Sequence, residues 1–193
     1  LKKLMAVVVF FSAITISAQA GPTTYDFSDG LQNWLKGYGN GTVVHDPTGG
    51  KTNDGALTLD RNSTGNTTNN NANIRRGQGG DDTFIVLDAD VTNFIKITLL
   101  NETKAVAIKV MGTSRTAGGT GVGNQFDNIN TNHVMTAESP YYQVAYLDVS
   151  ALTGEVTRLD LLFRANSVLT DAPGSLVTID KIEFLESLPL EYS

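Results

Sequence analysis

Few residues in this 193-residue chain could do chemistry, and they are quickly named. There are two histidines, His45 and His133, and no cysteine. His133 precedes Tyr141 and Tyr142 by eight and nine positions. A His–Tyr pair can act as general base and acid, but a solvated loop histidine near two packing tyrosines accounts for the same pattern. Paired carboxylates are what glycoside hydrolysis needs. The candidates, Asp81 with Asp82 and Asp88 with Asp90, fall at strand ends or in turns, where Asp serves turn geometry and solubility. Gly118-Gly119-Thr120-Gly121-Val122-Gly123 has glycines at a phosphate-loop-like spacing, yet lacks the strand-to-helix context that gives such a run meaning. G-x-S-x-G, H-E-x-x-H and Walker patterns are absent. The residues therefore read as binding rather than catalysis, with a lyase or hydrolase as the lesser alternative.

Binding has its own requirements. A sugar ring stacks its C–H face on an aromatic plane, and a few placed polar groups fix its hydroxyls. Trp34 is the only tryptophan. A large aromatic is mostly buried, so Trp34 reads as packing. Tyr38, Phe126, Tyr141 and Tyr142 are the other candidate stackers, with Tyr38, between Gly37 and Gly39, expected in an exposed loop. Arg75 and Arg76 are adjacent, so a strand aims them at opposite faces. One of them can line a concave face and pair with an acidic sugar; a charged strand end is the plainer reading.

The elements that must position these residues are strands. Beyond residue 20 the chain is a series of short apolar runs broken by Gly, Asn, Thr and Asp, the pattern of an all-β domain. Strands are expected at 24–27, 41–46, 56–60, 73–76, 83–88, 94–100, 105–111, 142–148, 158–164 and 176–185. Ile95, Ile97 and Leu99 alternate with Lys96 and Thr98, and Leu159, Leu161 and Phe163 with Asp160 and Arg164. Period-two alternation buries one face and wets the other, which predicts two antiparallel sheets packed as a β-sandwich. The last strand changes phase, from Val177 and Ile179 to Ile182 and Phe184. A bulge near Asp180-Lys181 restores the core side. Polar stretches 61–73 and 112–138 read as long loops.

Residues 1–20 have the three parts of an export signal: Lys2 and Lys3, an apolar run from Leu4 to Ile16, and Ala18-Gln19-Ala20. The expected organisation is a signal peptide over 1–20, a sandwich domain over 21–186 and a tail or linker over 187–193, with a secreted product that has no membrane span. Removal of two lysines and no acid takes the net charge from −6 to −8. That argues against nucleic acid, whose phosphates demand Lys and Arg. Without cysteine no disulfide can staple the fold, so it stands on its core.

Tyr25-Asp26-Phe27-Ser28-Asp29-Gly30-Leu31-Gln32-Asn33-Trp34 resembles the D-F-E-(D/N)-G-x-x-x-W opening of jelly-roll carbohydrate-binding modules in the galactose-binding-like superfamily. Residues 142–150 and 156–163 are similar to later strands of that group, 94–103 to its central strand and turn, and 174–185 to its closing G-x-v-x-I-D-x-I-x-F strand. The resemblance implies a non-catalytic domain that binds a polysaccharide or oligosaccharide, within a larger glycan-degrading system. It also implies a structural Ca²⁺ held by Asp26, Ser28, the 51–54 loop and Asp180. Ser28 departs from the group's Glu and removes one carboxylate. A structural or adhesive surface protein on the same fold is the alternative.

Overall fold

The computed structural model describes residues 23–39, 41–61, 71–77, 85–115, 124–126, 133–165, 171–172 and 174–190. The expected signal peptide, residues 1–20, lies outside the described residues, as do parts of both long polar stretches.

Alternation is realised as strands in the order β1 (Thr24–Tyr25), β2 (Trp34–Gly39), β3 (Thr42–Asp46), β4 (Ala56–Asp60), β5 (Asn71–Gly77), β6 (Leu87–Asp88), β7 (Phe94–Asn101), β8 (Ala105–Arg115), β9 (Asn124–Phe126), β10 (His133–Val134), β11 (Tyr142–Asp148), β12 (Glu155–Ala165) and β13 (Val177–Leu185). They form two antiparallel sheets. The first runs β11-β7-β13-β4-β3, with β1 also on β13; the second runs β10-β8-β12-β5-β2, with β6 on β12 and β9 on β8. From β4 onward the main strands alternate between the sheets, the wrapping of a jelly roll. The core between them is built from Ile95, Ile97 and Leu99 on one side and Ile74, Leu159, Leu161 and Phe163 on the other, all fully buried. Among the described residues no helix is long and apolar enough to cross a membrane.

Three expectations change. Residues 112–138 are not one loop: β8 continues to Arg115 and β9 and β10 pair against it. Tyr38 lies within β2 rather than in a loop. That strand was hidden because Trp-Leu-Lys-Gly-Tyr-Gly has two glycines and no clean alternation; its partner β5 and the burial of Trp34 define it. Residues 83 and 84 of the expected fifth strand are outside the described residues, and the observed strand there is Leu87–Asp88.

The bulge in β13 falls where the phase break places it, between Ile179 and Lys181. The reason is visible in the pairing. β7 runs along one edge of β13, while on the opposite edge β4 covers Val177–Ile179 and β1 covers Ile182–Glu183. Asp180 sits at the seam between those two partners.

Candidate functional site

Two places gather the residues with chemistry. The first is a cleft of about 300 Å³ at the β13 seam, lined by Asp26, Lys51, Thr52, Asp54, Lys96, Thr98, Asp180, Lys181 and Glu183. Asp180 is nearly buried, and its Oδ1 accepts the Lys51 backbone N–H at 2.6 Å. It therefore fastens the last strand to a loop 129 residues earlier rather than bonding its own backbone. That loop fits closely: a Cβ on Gly50 would come within 2.9 Å of Asp180 Oδ1, and one on Gly55 within 2.4 Å of the Phe27 carbonyl. Asp26 is exposed and closes its own turn. Its Oδ1 accepts from the Ser28 N–H at 3.2 Å, the Ser28 hydroxyl at 3.0 Å and the Gln32 amide at 3.2 Å. The Ser28 bonds, backbone first, hold its carboxyl below the usual range. His45 donates to the Phe27 carbonyl at 2.8 Å, so it ties β3 to the same segment. Among the described residues no three acidic or imidazole groups converge as a metal cluster.

The second place is the outer face of the second sheet. Asp160 lies between the core residues Leu159 and Leu161 on β12, so it points outward, yet it is fully buried. Its Oδ1 accepts from Asn73 Nδ2 at 2.8 Å and Arg75 Nε at 2.7 Å; its Oδ2 accepts from Arg158 Nε at 2.6 Å. The register explains the assembly: Asp160 is opposite Arg75 on β5, and Arg158 is two residues along the same face of β12. The arginine side chains are 27% and 20% exposed. They are held from below and reach solvent above. Asn73 is pressed onto Gly37, where any Cβ would collide with its amide at 2.2 Å.

The sequence candidates divide between these places. Arg75 belongs to the outer face. Arg76 turns the other way, as the adjacent positions require. It is 4% exposed, its guanidinium lies 4.4 Å from the Tyr25 ring centroid, and it donates to the Gln32 carbonyl. Burial lowers its pKa and raises that of the Tyr25 phenol. Trp34 is fully buried and meets Tyr25 edge-on at 5.7 Å, so it packs. The backbones of Tyr38 (β2) and Phe126 (β9) belong to the second sheet; their side chains lie outside the described set. Tyr141 is 76% exposed, and Tyr142 is half-buried on β11 of the first sheet. Burial first, then the charges of Asp180, Asp46 and Glu102, hold the Tyr142 phenol above its ordinary value. Sequence reasoning missed Arg158 and Asp160. Their two-residue spacing on an alternating strand was the available signal.

No protein-family model matches the chain, and no curated protein matches it in sequence. Solved structures do match. One is the family 11 carbohydrate-binding module of Clostridium thermocellum in complex with a β-1,3-1,4-mixed-linked tetrasaccharide, at TM-score 0.51 and 14% identity over 86% of this chain and 96% of that one. Another is the CBM22-1–GH10 portion of a C. thermocellum endo-1,4-β-D-xylanase with xylohexaose, at TM-score 0.53 and 11% identity over 85% of this chain and 27% of that one. A third is a CBM22 tandem from Paenibacillus barcinonensis, at TM-score 0.50 and 13% identity over 86% of this chain and 46% of that one. The fold is that of carbohydrate-binding modules. This is the architecture that the opening segment and closing strands resembled, and the likeness extends over most of the described sandwich. At such identities the likeness shows the fold.

Proposed function

We infer that this domain is exported and binds a polysaccharide chain without cleaving it, using the outer face of the second sheet. The observation that carries the reading is the polar group fixed there. Asn73, Arg75 and Arg158 are set by one buried carboxylate on the central strands β5 and β12, a rigid base for a binding surface. Glycan hydroxyls pair with guanidinium groups of this kind, while the buried Asn73 braces the carboxylate beneath them. Tyr38 and Phe126, whose backbones belong to strands of the same sheet, are the proposed stacking aromatics. The tetrasaccharide in complex with the family 11 module agrees with this use of a jelly roll. Affinity gel electrophoresis against a panel of neutral and acidic polysaccharides tests it. Retardation in at least one gel is expected; unchanged mobility in all of them sinks the reading.

A structural Ca²⁺ at the β13 seam belongs to the same proposal. Asp26, Thr52, Asp54 and Asp180 bring oxygen donors of the kind Ca²⁺ takes to a cleft that also holds Lys51, Lys96 and Lys181, with no three acids of the described residues converging at one point. Asp26 and Asp180 would hold the ion, Ser28 steadying Asp26, while backbone carbonyls and water complete the set. Bound there, Ca²⁺ supplies cross-bracing between the first and last strands. At a hundredfold excess over Kd, binding adds about 2.7 kcal/mol, or roughly 5–10 °C in Tm for a chain of this size. A melting temperature unmoved between EDTA and millimolar Ca²⁺ removes the ion from the proposal.

A further inference from the structure

The glycan face carries the wrong charge for a neutral ligand. Between Arg158 and Arg164 on β12, and at the positions paired with them on β5 and β8, the outward side chains include Arg75, Lys109, Arg158 and Arg164 against the single acid Asp160. This cationic strip stands on a chain whose net charge is −6. Composition alone does not produce it.

The geometry narrows its use. A guanidinium has five N–H donors. Arg75 and Arg158 each give Asp160 only Nε, on opposite oxygens of one carboxylate. Among the described residues nothing pairs with the terminal nitrogens of either, and both side chains are partly open to solvent. Asp160 itself is closed off, so a ligand meets the guanidinium groups and not the acid beneath them. Two forks held by one buried anchor have lost part of their rotamer freedom before a ligand arrives, which lowers the entropy cost of binding. The fork geometry matches planar or tetrahedral oxyanions two oxygens at a time. A neutral hydroxyl uses only part of that capacity.

We propose that the polysaccharide bound by this face is anionic, and that Arg75 and Arg158 recognise its carboxylate or sulfate groups. This rests on the outer face of the second sheet being the glycan site. Uronic-acid carboxylates and sulfate esters share the oxyanion chemistry, and the assay separates them. Full-length protein is run in native gels containing polygalacturonate, highly methyl-esterified polygalacturonate, dextran sulfate, dextran, mixed-linked β-glucan or xylan. Expected is retardation by polygalacturonate and not by its methyl ester if the group is a carboxylate. If the group is a sulfate, dextran sulfate retards and dextran does not. Binding should weaken steeply from ~50 to ~500 mM NaCl. Arg75→Gln and Arg158→Gln should each weaken it about tenfold, the scale of one lost charge-assisted pair. Arg75→Lys, which keeps the charge and loses the fork, should recover only part of that. Thermal melts of each variant establish that it is folded. Arg164→Gln, outside the Asp160 anchor, should have a smaller effect than either. Binding to β-glucan or xylan that is unchanged by Arg75→Gln and Arg158→Gln overturns the proposal and leaves polysaccharide binding standing. Binding to none of the six polymers overturns both.

Discussion

Asp160→Asn is the most informative single change. The carboxylate is fully buried and holds three donors within 2.8 Å, from Asn73, Arg75 and Arg158. The amide keeps its volume and one acceptor oxygen. Its NH₂ group then faces one of the two guanidinium groups, donor against donor, where a charge-assisted bond of 2.6–2.7 Å stood. Removing one partner of a buried ion pair costs about 3–5 kcal/mol. The two arginines are partly exposed and regain some hydration, so about 3 kcal/mol is the appropriate figure. That corresponds to a fall in Tm of roughly 6–12 °C for a chain of this length. Urea denaturation gives the same quantity through Cm, provided m is unchanged. A loss under ~0.5 kcal/mol, the range of ordinary surface changes, would falsify the view that Asp160 anchors the face. The converse change separates stability from recognition. Asn73→Leu, Arg75→Met, Asp160→Leu and Arg158→Met together replace the cluster with apolar side chains and leave no buried amide without its acceptor. Stability should stay within about 1 kcal/mol of the parent or rise, as buried ion pairs often allow, while acidic-glycan binding disappears.

Three further outcomes follow from the described geometry. Asp180→Ala strips the Lys51 N–H of its acceptor and should cost about 1.5–3 kcal/mol; hydrogen exchange at that amide should accelerate, and unchanged protection would refute the tie. Gly55→Ala places a Cβ 2.4 Å from the Phe27 carbonyl at φ 129° and should cost about 2 kcal/mol or more, whereas Gly174→Ala, at φ 82° with nothing within 4 Å, should cost only the backbone strain, about 1 kcal/mol; equal losses would refute the clash. The raised phenols of Tyr25 and Tyr142 keep their protons longer in the folded state. Their contribution is full below the unfolded tyrosine value of about 10 and is lost as pH climbs through the folded values. The urea midpoint should therefore fall above pH ~10, less steeply in Tyr25→Phe/Tyr142→Phe, and an identical slope in that variant would sink the assignment.

Much of this architecture is legible in the sequence. Alternation in 94–100, 142–148 and 158–164 fixed strands and faces, because a half-buried sheet writes its period into the sequence. Asp180 was legible too, since only an extra residue restores the core phase between Ile179 and Ile182. What escaped was set by partners distant in sequence. β2 has no period of its own and is recognisable only once Arg76 pairs with Trp34 and Gly37 lies beneath Asn73. That Arg75 and Arg76 face opposite ways was readable, but which of them faces outward, and the bond of Arg75 to Asp160, needed the β5–β12 register, which spans 85 residues. Asp26 shows the opposite case: its three bonds all lie within six residues, so they belong to a local turn.

The short strand β1 has a practical consequence. Thr24 lies opposite Glu183, and the Phe184 N–H donates to the Thr23 carbonyl at 2.8 Å. The chain therefore runs into the sandwich and out of it side by side, one inter-strand spacing, ~4.8 Å, apart. Two points that close can be joined to make a circular permutant, or set into a surface loop of an unrelated host, with little distortion of either protein. A β-sandwich wired this way can be moved between chains as a cassette, carrying its charged face with it.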